Sequence, residues 1–134
     1  MTRRLFQVIP TALFGLLMAG VAACTSGPIG PQVPAYVVFF TPFSSELDEP
    51  AKQVVADASR AATTAPARPL TVAGYADTTP VPGGSQTVSE QRVKAVVDAL
   101  VASGVNRQSI TRAPRGNTSG DPGIESRRVE IVFP

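Results

Sequence analysis

The stretch from Leu70 to Leu100 changes its hydrophobic period once, and that change limits the folds open to the chain. Leu70–Tyr75 (LTVAGY) has the composition of a strand, and Thr78–Gly84 (TTPVPGG) can only be a loop. A helix starts near Ser85, with Val93, Val96, Val97, Leu100 and Val101 on its buried face and Gly104 as its stop. A strand followed by an amphipathic helix must pack against it, which specifies a sheet with a helical layer. The same unit sets Asp77 just past the strand and Arg92 just inside the helix. If the loop brings these ends together, a carboxylate and a guanidinium share one corner of the domain. Held side by side without being spent on each other, they make a receptor for a zwitterion.

The flanking segments extend this pattern. Ala35–Phe40 (AYVVFF) is a short, nearly continuous apolar run, as in a strand buried on both faces. Asp48-Glu49-Pro50 opens a helix: Asp48 can cap free amides, and proline is tolerated in the first turn. Ala51, Val54, Val55, Ala58 and Ala62 share its buried face, and Pro66 and Pro69 end it. Ser109–Arg112 (SITR) is a weak strand, and Arg127–Phe133 (RRVEIVF) is a better one with alternating Val129, Ile131 and Phe133. The order βαβαββ predicts an α+β two-layer sandwich, with two helices packed on one side of a mixed sheet.

The first residues read as a leader. Arg3 and Arg4 precede an apolar run from Leu5 to Ala23 that closes in Val21-Ala22-Ala23-Cys24. V-A-A-C resembles the bacterial lipobox, with Val21 where leucine is usual. That resemblance implies cleavage before Cys24 and acylation of its thiol and new amine, with Thr25 at the following position favouring the outer membrane. The expected organisation is a signal peptide over 1–23, a lipidated Cys24 and Pro/Gly tether over 24–34, and a folded domain over 35–134. The tether spans about 30 Å at ~3.1 Å per residue when extended. Three acyl chains exceed the two signals that stable anchoring requires. A buried core thiol at Cys24 and an uncleaved anchor helix over Leu5–Ala23 are the plainer alternatives.

Composition removes several function classes. Without Arg3 and Arg4 the chain carries ten basic and ten acidic residues, so its basic balance belongs to the leader and argues for no nucleic-acid partner. Cys24 is the one cysteine, which precludes an intrachain disulfide, and histidine is absent. The commonest general base and most zinc or iron ligand sets are therefore missing, and no cofactor is expected. Phosphate-loop and serine-nucleophile motifs are likewise absent. A carboxylate enzyme would need Asp77, Asp121 and Glu125 to converge, so the chain reads as a binding protein rather than an enzyme.

The motifs that remain form a set: Gly74-Tyr75-Ala76-Asp77, then Ser85-x-x-Val88-Ser89-x-x-Arg92-Val93, then Ser126-Arg127-Arg128-Val129-Glu130. This set resembles the OmpA-like peptidoglycan-binding domain, in which G-[HY]-[TA]-D is followed by N-x-x-L-S-x-x-R-A and N-R-R-V-E. The run YVVFFTPFSSEL also looks like that family's opening strand and its descent into the first helix. Serines at 85 and 126 stand where the family has asparagine, and Pro80 where it has glycine.

The resemblance implies a periplasmic, outer-membrane lipoprotein that grips peptidoglycan non-covalently through the diaminopimelate of its peptide stem. Asp77 would take the ammonium of that residue, and Arg92 would hold its carboxylate in a bidentate fork. Arg127 would be a second contact, and Ser85 would lie where helix amides favour an anion. Since Arg127 and Arg128 alternate across a strand, only one of them can face the site, and Arg127 is favoured. Two other readings stay open. Asp77 and Arg92 could be a plain surface ion pair, worth ~0–1 kcal/mol. Alternatively, the two serines and short tether could mark a domain that has lost peptidoglycan and serves as an interaction module for envelope proteins.

Overall fold

The computed structural model describes residues 36–64, 68–77, 83–118 and 123–134. The expected signal segment, Cys24 and the tether lie outside these residues. The elements run β1 (Tyr36–Phe39), α1 (Glu49–Thr64), β2 (Leu70–Ala76), α2 (Gly84–Ala102), β3 (Ile110–Asn117) and β4 (Arg128–Val132). Short 3₁₀ turns over Arg107–Ser109 and Ile124–Ser126 precede the last two strands. The sheet order is β1-β4-β2-β3, with β2 and β3 parallel and the β1–β4 and β2–β4 pairs antiparallel. This is the expected α+β sandwich of two helices on a mixed sheet.

The alternation of each strand decides which residues reach the core. Val38 and Phe40, Leu70 and Val72, and Val129 and Ile131 share the face that meets the helices, and all are buried. From α1 come Ala51, Val55, Ala58 and Ala62, and from α2 Val93, Val96, Val97 and Leu100. Val54 and Val101 only partly join them. The Asp48 carboxylate accepts the Ala51 N–H at 2.8 Å, the N-terminal cap read from the sequence. At the other end of the domain Gly104 has φ of 97°, a left-handed value suited to glycine after a last helical turn.

Two strands differ from expectation. β1 is an edge strand paired only with β4, and Phe39 on its outer face is 43% exposed, so it is not buried on both sides. β3 extends to Asn117, well beyond Arg112. Pro114 lies inside it, which an edge strand permits because no outer partner needs the missing N–H. A register shift against Gly74 and Tyr75 accommodates Pro114 and Gly116.

The helix closest to the sheet centre is held there by glycine. A Cβ on Gly74 would lie 2.4 Å from Val93 Cγ2 and 2.8 Å from the Ser89 carbonyl oxygen. β2 and α2 therefore approach at a distance that no side chain at 74 permits. Ser89, fully buried beside this contact, donates to the Gln86 carbonyl and accepts the Gly116 N–H at 3.0 Å, pinning α2 to β3.

Candidate functional site

Where β2 ends, four segments meet around a small cleft lined by Pro42, Phe43, Ala76, Asp77, Val88, Arg92 and Arg127. Asp77 is the first residue past β2, so the strand end aims it here. Arg127 stands immediately before β4, at the end of the 3₁₀ turn. Its Nη1 lies 3.4 Å from Asp77 Oδ2, and both side chains are largely covered. Its backbone exchanges with the start of the loop after β1, the Phe40 N–H donating to the Arg127 carbonyl at 2.8 Å. Arg128, one residue on, falls on the opposite sheet face.

Arg92 is the surprise of the site. It is only 1% exposed and is the largest fully buried side chain among the described residues. Helical periodicity puts it there: Val88, Ser89, Arg92, Val93, Val96 and Leu100 form one buried stripe of α2. Its Nε donates to the Ser44 carbonyl at 2.9 Å, Nη1 to the Tyr75 carbonyl at 3.1 Å and Nη2 to the Thr41 carbonyl at 3.3 Å. The guanidinium also lies 5.2 Å from the centre of the Phe40 ring.

These contacts change how the arginine is understood. A guanidinium has five N–H groups, so three backbone bonds leave at most two for a ligand. It is neither a solvated helix charge nor half of a plain surface ion pair. Instead it ties the loop after β1 to the end of β2 and forms the floor of the cleft. Burial, with repulsion from Arg127 and against attraction by Asp77, lowers its pKa to about 10. It therefore stays protonated at neutral pH.

Ser85 lies in the first turn of α2, and its hydroxyl donates to the Asp77 backbone carbonyl at 2.8 Å. It thus fixes the residue that carries the carboxylate. Ser126 is fully buried, and its hydroxyl accepts from Thr118 Oγ1 at 2.6 Å, joining the turn before β4 to the end of β3. Pro42, Phe43 and Val88 line the cleft although the sequence named none of them as a site residue. Val88 could have been found, because it lies four residues before Arg92 on the same face; nothing in the residue pattern marks the other two. Glu125 is exposed and Asp121 lies outside the described residues. Among the described residues no cluster of His, Cys, Asp or Glu could hold a metal ion.

On the opposite face, Arg128 stacks 4.2 Å from the Tyr75 ring centre and pairs with Glu130 at 2.7 Å. Tyr75 donates weakly to the same carboxylate at 3.4 Å. Burial, and next the Glu130 charge, push the Tyr75 phenol above its ordinary range, with Arg128 pulling the other way.

Residues 39–127, more than half of the chain, match the OmpA family. The chain belongs to the OmpA family. Among solved structures, this OmpA-family domain is similar to the peptidoglycan-associated lipoprotein from Burkholderia pseudomallei, with a TM-score of 0.67 and 18% identity over 74% of this chain and 90% of that one. It is also similar to the C-terminal domain of Helicobacter pylori MotB, with a TM-score of 0.64 and 24% identity over 72% and 81% of the two chains. The OmpA-like domain of FopA1 from Francisella tularensis gives 0.62 and 21% over 71% and 68%. At these identities the likeness is one of fold. No curated protein matches the chain.

Proposed function

We propose that this OmpA-family domain binds peptidoglycan non-covalently, with the cleft at the end of β2 receiving the free end of a stem-peptide diaminopimelate. The observation that carries this reading is the convergence of Asp77, Arg92 and Arg127 on one cleft whose remaining walls are apolar. A zwitterion needs one anionic and one cationic anchor, and its alkyl arm needs apolar cover. The family and the similar peptidoglycan-associated lipoprotein are consistent with such a ligand.

In this reading the ligand ammonium displaces Arg127 from its long contact with Asp77 and donates to the carboxylate. Arg127, released, turns toward the ligand carboxylate, where a planar guanidinium offers paired donors. Arg92 adds its remaining N–H groups and, above all, keeps the loop after β1 in place. Ser85 holds Asp77 through the backbone. Lipidation at Cys24 would anchor the domain to the outer membrane, so that gripping the wall couples membrane and wall.

A second reading has a specific observation in its favour. Asp77 is already engaged by Arg127, and three Arg92 donors are committed to backbone carbonyls. Such a cleft would suit a domain that has given up peptidoglycan and binds envelope proteins. Co-sedimentation with purified diaminopimelate-type sacculi separates the two. The wild-type protein is expected in the pellet and Asp77→Ala in the supernatant. Wild type remaining in the supernatant favours the interaction module, and equal pelleting of both proteins overturns the assignment of the cleft.

A further inference from the structure

Phe43 combines two costs that nothing in the fold requires. Its φ is 57°, the one positive value on a non-glycine residue among the described residues. The residue is 65% exposed, more than any other large apolar residue described. A bulky aromatic in the left-handed region is an outlier, and a turn there is better served by glycine, asparagine or aspartate. The ring is not needed by the core either, since it lies outside the core cluster.

The conformation is nevertheless held firmly. The Ser44 N–H donates to the Thr41 carbonyl at 3.3 Å, closing a turn with Pro42 and Phe43 at its centre. Arg92 then donates to the carbonyls on both sides of that turn, at Thr41 and Ser44. One buried arginine thus fixes the strained turn from beneath, and the turn sets Phe43 in the wall of the cleft with Pro42, Ala76 and Val88. Backbone strain maintained in this way is common where a site is pre-organised.

We infer that Phe43 is a specificity-determining residue of the cleft, covering the methylene arm of the ligand while the charged groups hold its zwitterionic end. This rests on the cleft being the diaminopimelate site. The division of labour follows from the lining: charge lies at Asp77, Arg92 and Arg127, and the rest of the lining is apolar. Phe43 therefore selects a zwitterion on a long alkyl arm over the same zwitterion on a short one.

Two ligands and two variants test this by NMR titration of the purified protein. The ligands are meso-diaminopimelate and D-alanine, which offers the same ammonium and carboxylate on a carbon bearing only a methyl. Phe43→Gly and Phe43→Asn both suit a positive φ, so the turn keeps its shape and the fold keeps its stability. Each variant is expected to bind meso-diaminopimelate about tenfold more weakly, the loss that goes with giving up about 50 Å² of apolar contact. D-alanine affinity should be unchanged. Equal meso-diaminopimelate affinity in wild type and both variants overturns the inference. An equal loss for both ligands also overturns it, by showing that Phe43 acts on the charged groups. Failure of the wild type to bind meso-diaminopimelate instead overturns the reading of the cleft, and this inference with it.

Discussion

Gly74→Ala probes the contact that sets the whole site. The added methyl would lie 2.4 Å from Val93 Cγ2 and 2.8 Å from the Ser89 carbonyl oxygen, against ordinary contacts of about 3.4–4 Å. Val93 can rotate only at the expense of packing in a filled core, and a helix carbonyl cannot rotate at all. The strain must move α2 away from β2, which corresponds to overpacking of about 1–3 kcal/mol. For a domain of this size that lowers the melting temperature by roughly 4–20 °C. Thermal unfolding followed by circular dichroism reads it directly. Val93→Ala provides the control, since it removes the nearest clash but not the second. The double variant should therefore be less damaged than the sum of the single ones, by about 0.5–2 kcal/mol. The displacement also stretches the Arg92 bond to the Tyr75 carbonyl, because Tyr75 follows Gly74 directly. Ligand affinity should consequently fall in Gly74→Ala below the unfolding transition. A variant as stable as wild type would refute the argument that glycine is required by close approach.

Arg92→Met removes three donors from the carbonyls of Thr41, Ser44 and Tyr75 while releasing the buried charge; the net cost is expected at about 2–4 kcal/mol, measured by urea unfolding, and unchanged stability would show that these bonds do not hold the loop. The Tyr75 phenol should ionise above the ordinary tyrosine range in ultraviolet titration, and Glu130→Gln should bring it down, whereas a rise would contradict the assigned cause. Because its folded value lies above the unfolded value near 10, its contribution to stability is complete below about pH 10 and is lost as pH rises through the folded value. Cys24→Ala should block processing and membrane retention in cell fractionation; normal processing with outer-membrane recovery would overturn lipidation.

The layers of this domain were legible because periodicity reports burial. Val93, Val96, Val97 and Leu100 marked the buried face of α2, and Val129 and Ile131 that of β4. The extent of β3 was not legible, since the apolar pattern of Ser109–Arg112 stops well short of Asn117 while the edge strand runs on through Pro114. Asp77 was readable as a corner residue because it directly follows a strand, whereas Arg127 beside it came from the family motif and not from the local pattern. The burial of Arg92 was also available, since it falls on the same stripe as Val88 and Val96. What hid it was its charge, which suggests solvent unless carbonyls are supplied to meet it. Those carbonyls belong to Thr41 and Ser44, some fifty residues earlier, and no local pattern announces them. Phe43 was hidden for the same reason, since its strain is set by a hydrogen bond donor from a different element.

The central claim is that the cleft recognises an ammonium and a carboxylate on one carbon. Sacculi whose stems carry lysine in place of diaminopimelate keep the ammonium but lack that carboxylate. Parallel sedimentation with both kinds of sacculi, at matched stem-peptide content, therefore isolates the arginine side of the site. The protein is expected to pellet with diaminopimelate-type sacculi, to stay soluble with lysine-type sacculi, and to be released from the former by free meso-diaminopimelate. Equal pelleting with both, undisturbed by meso-diaminopimelate, would contradict the account.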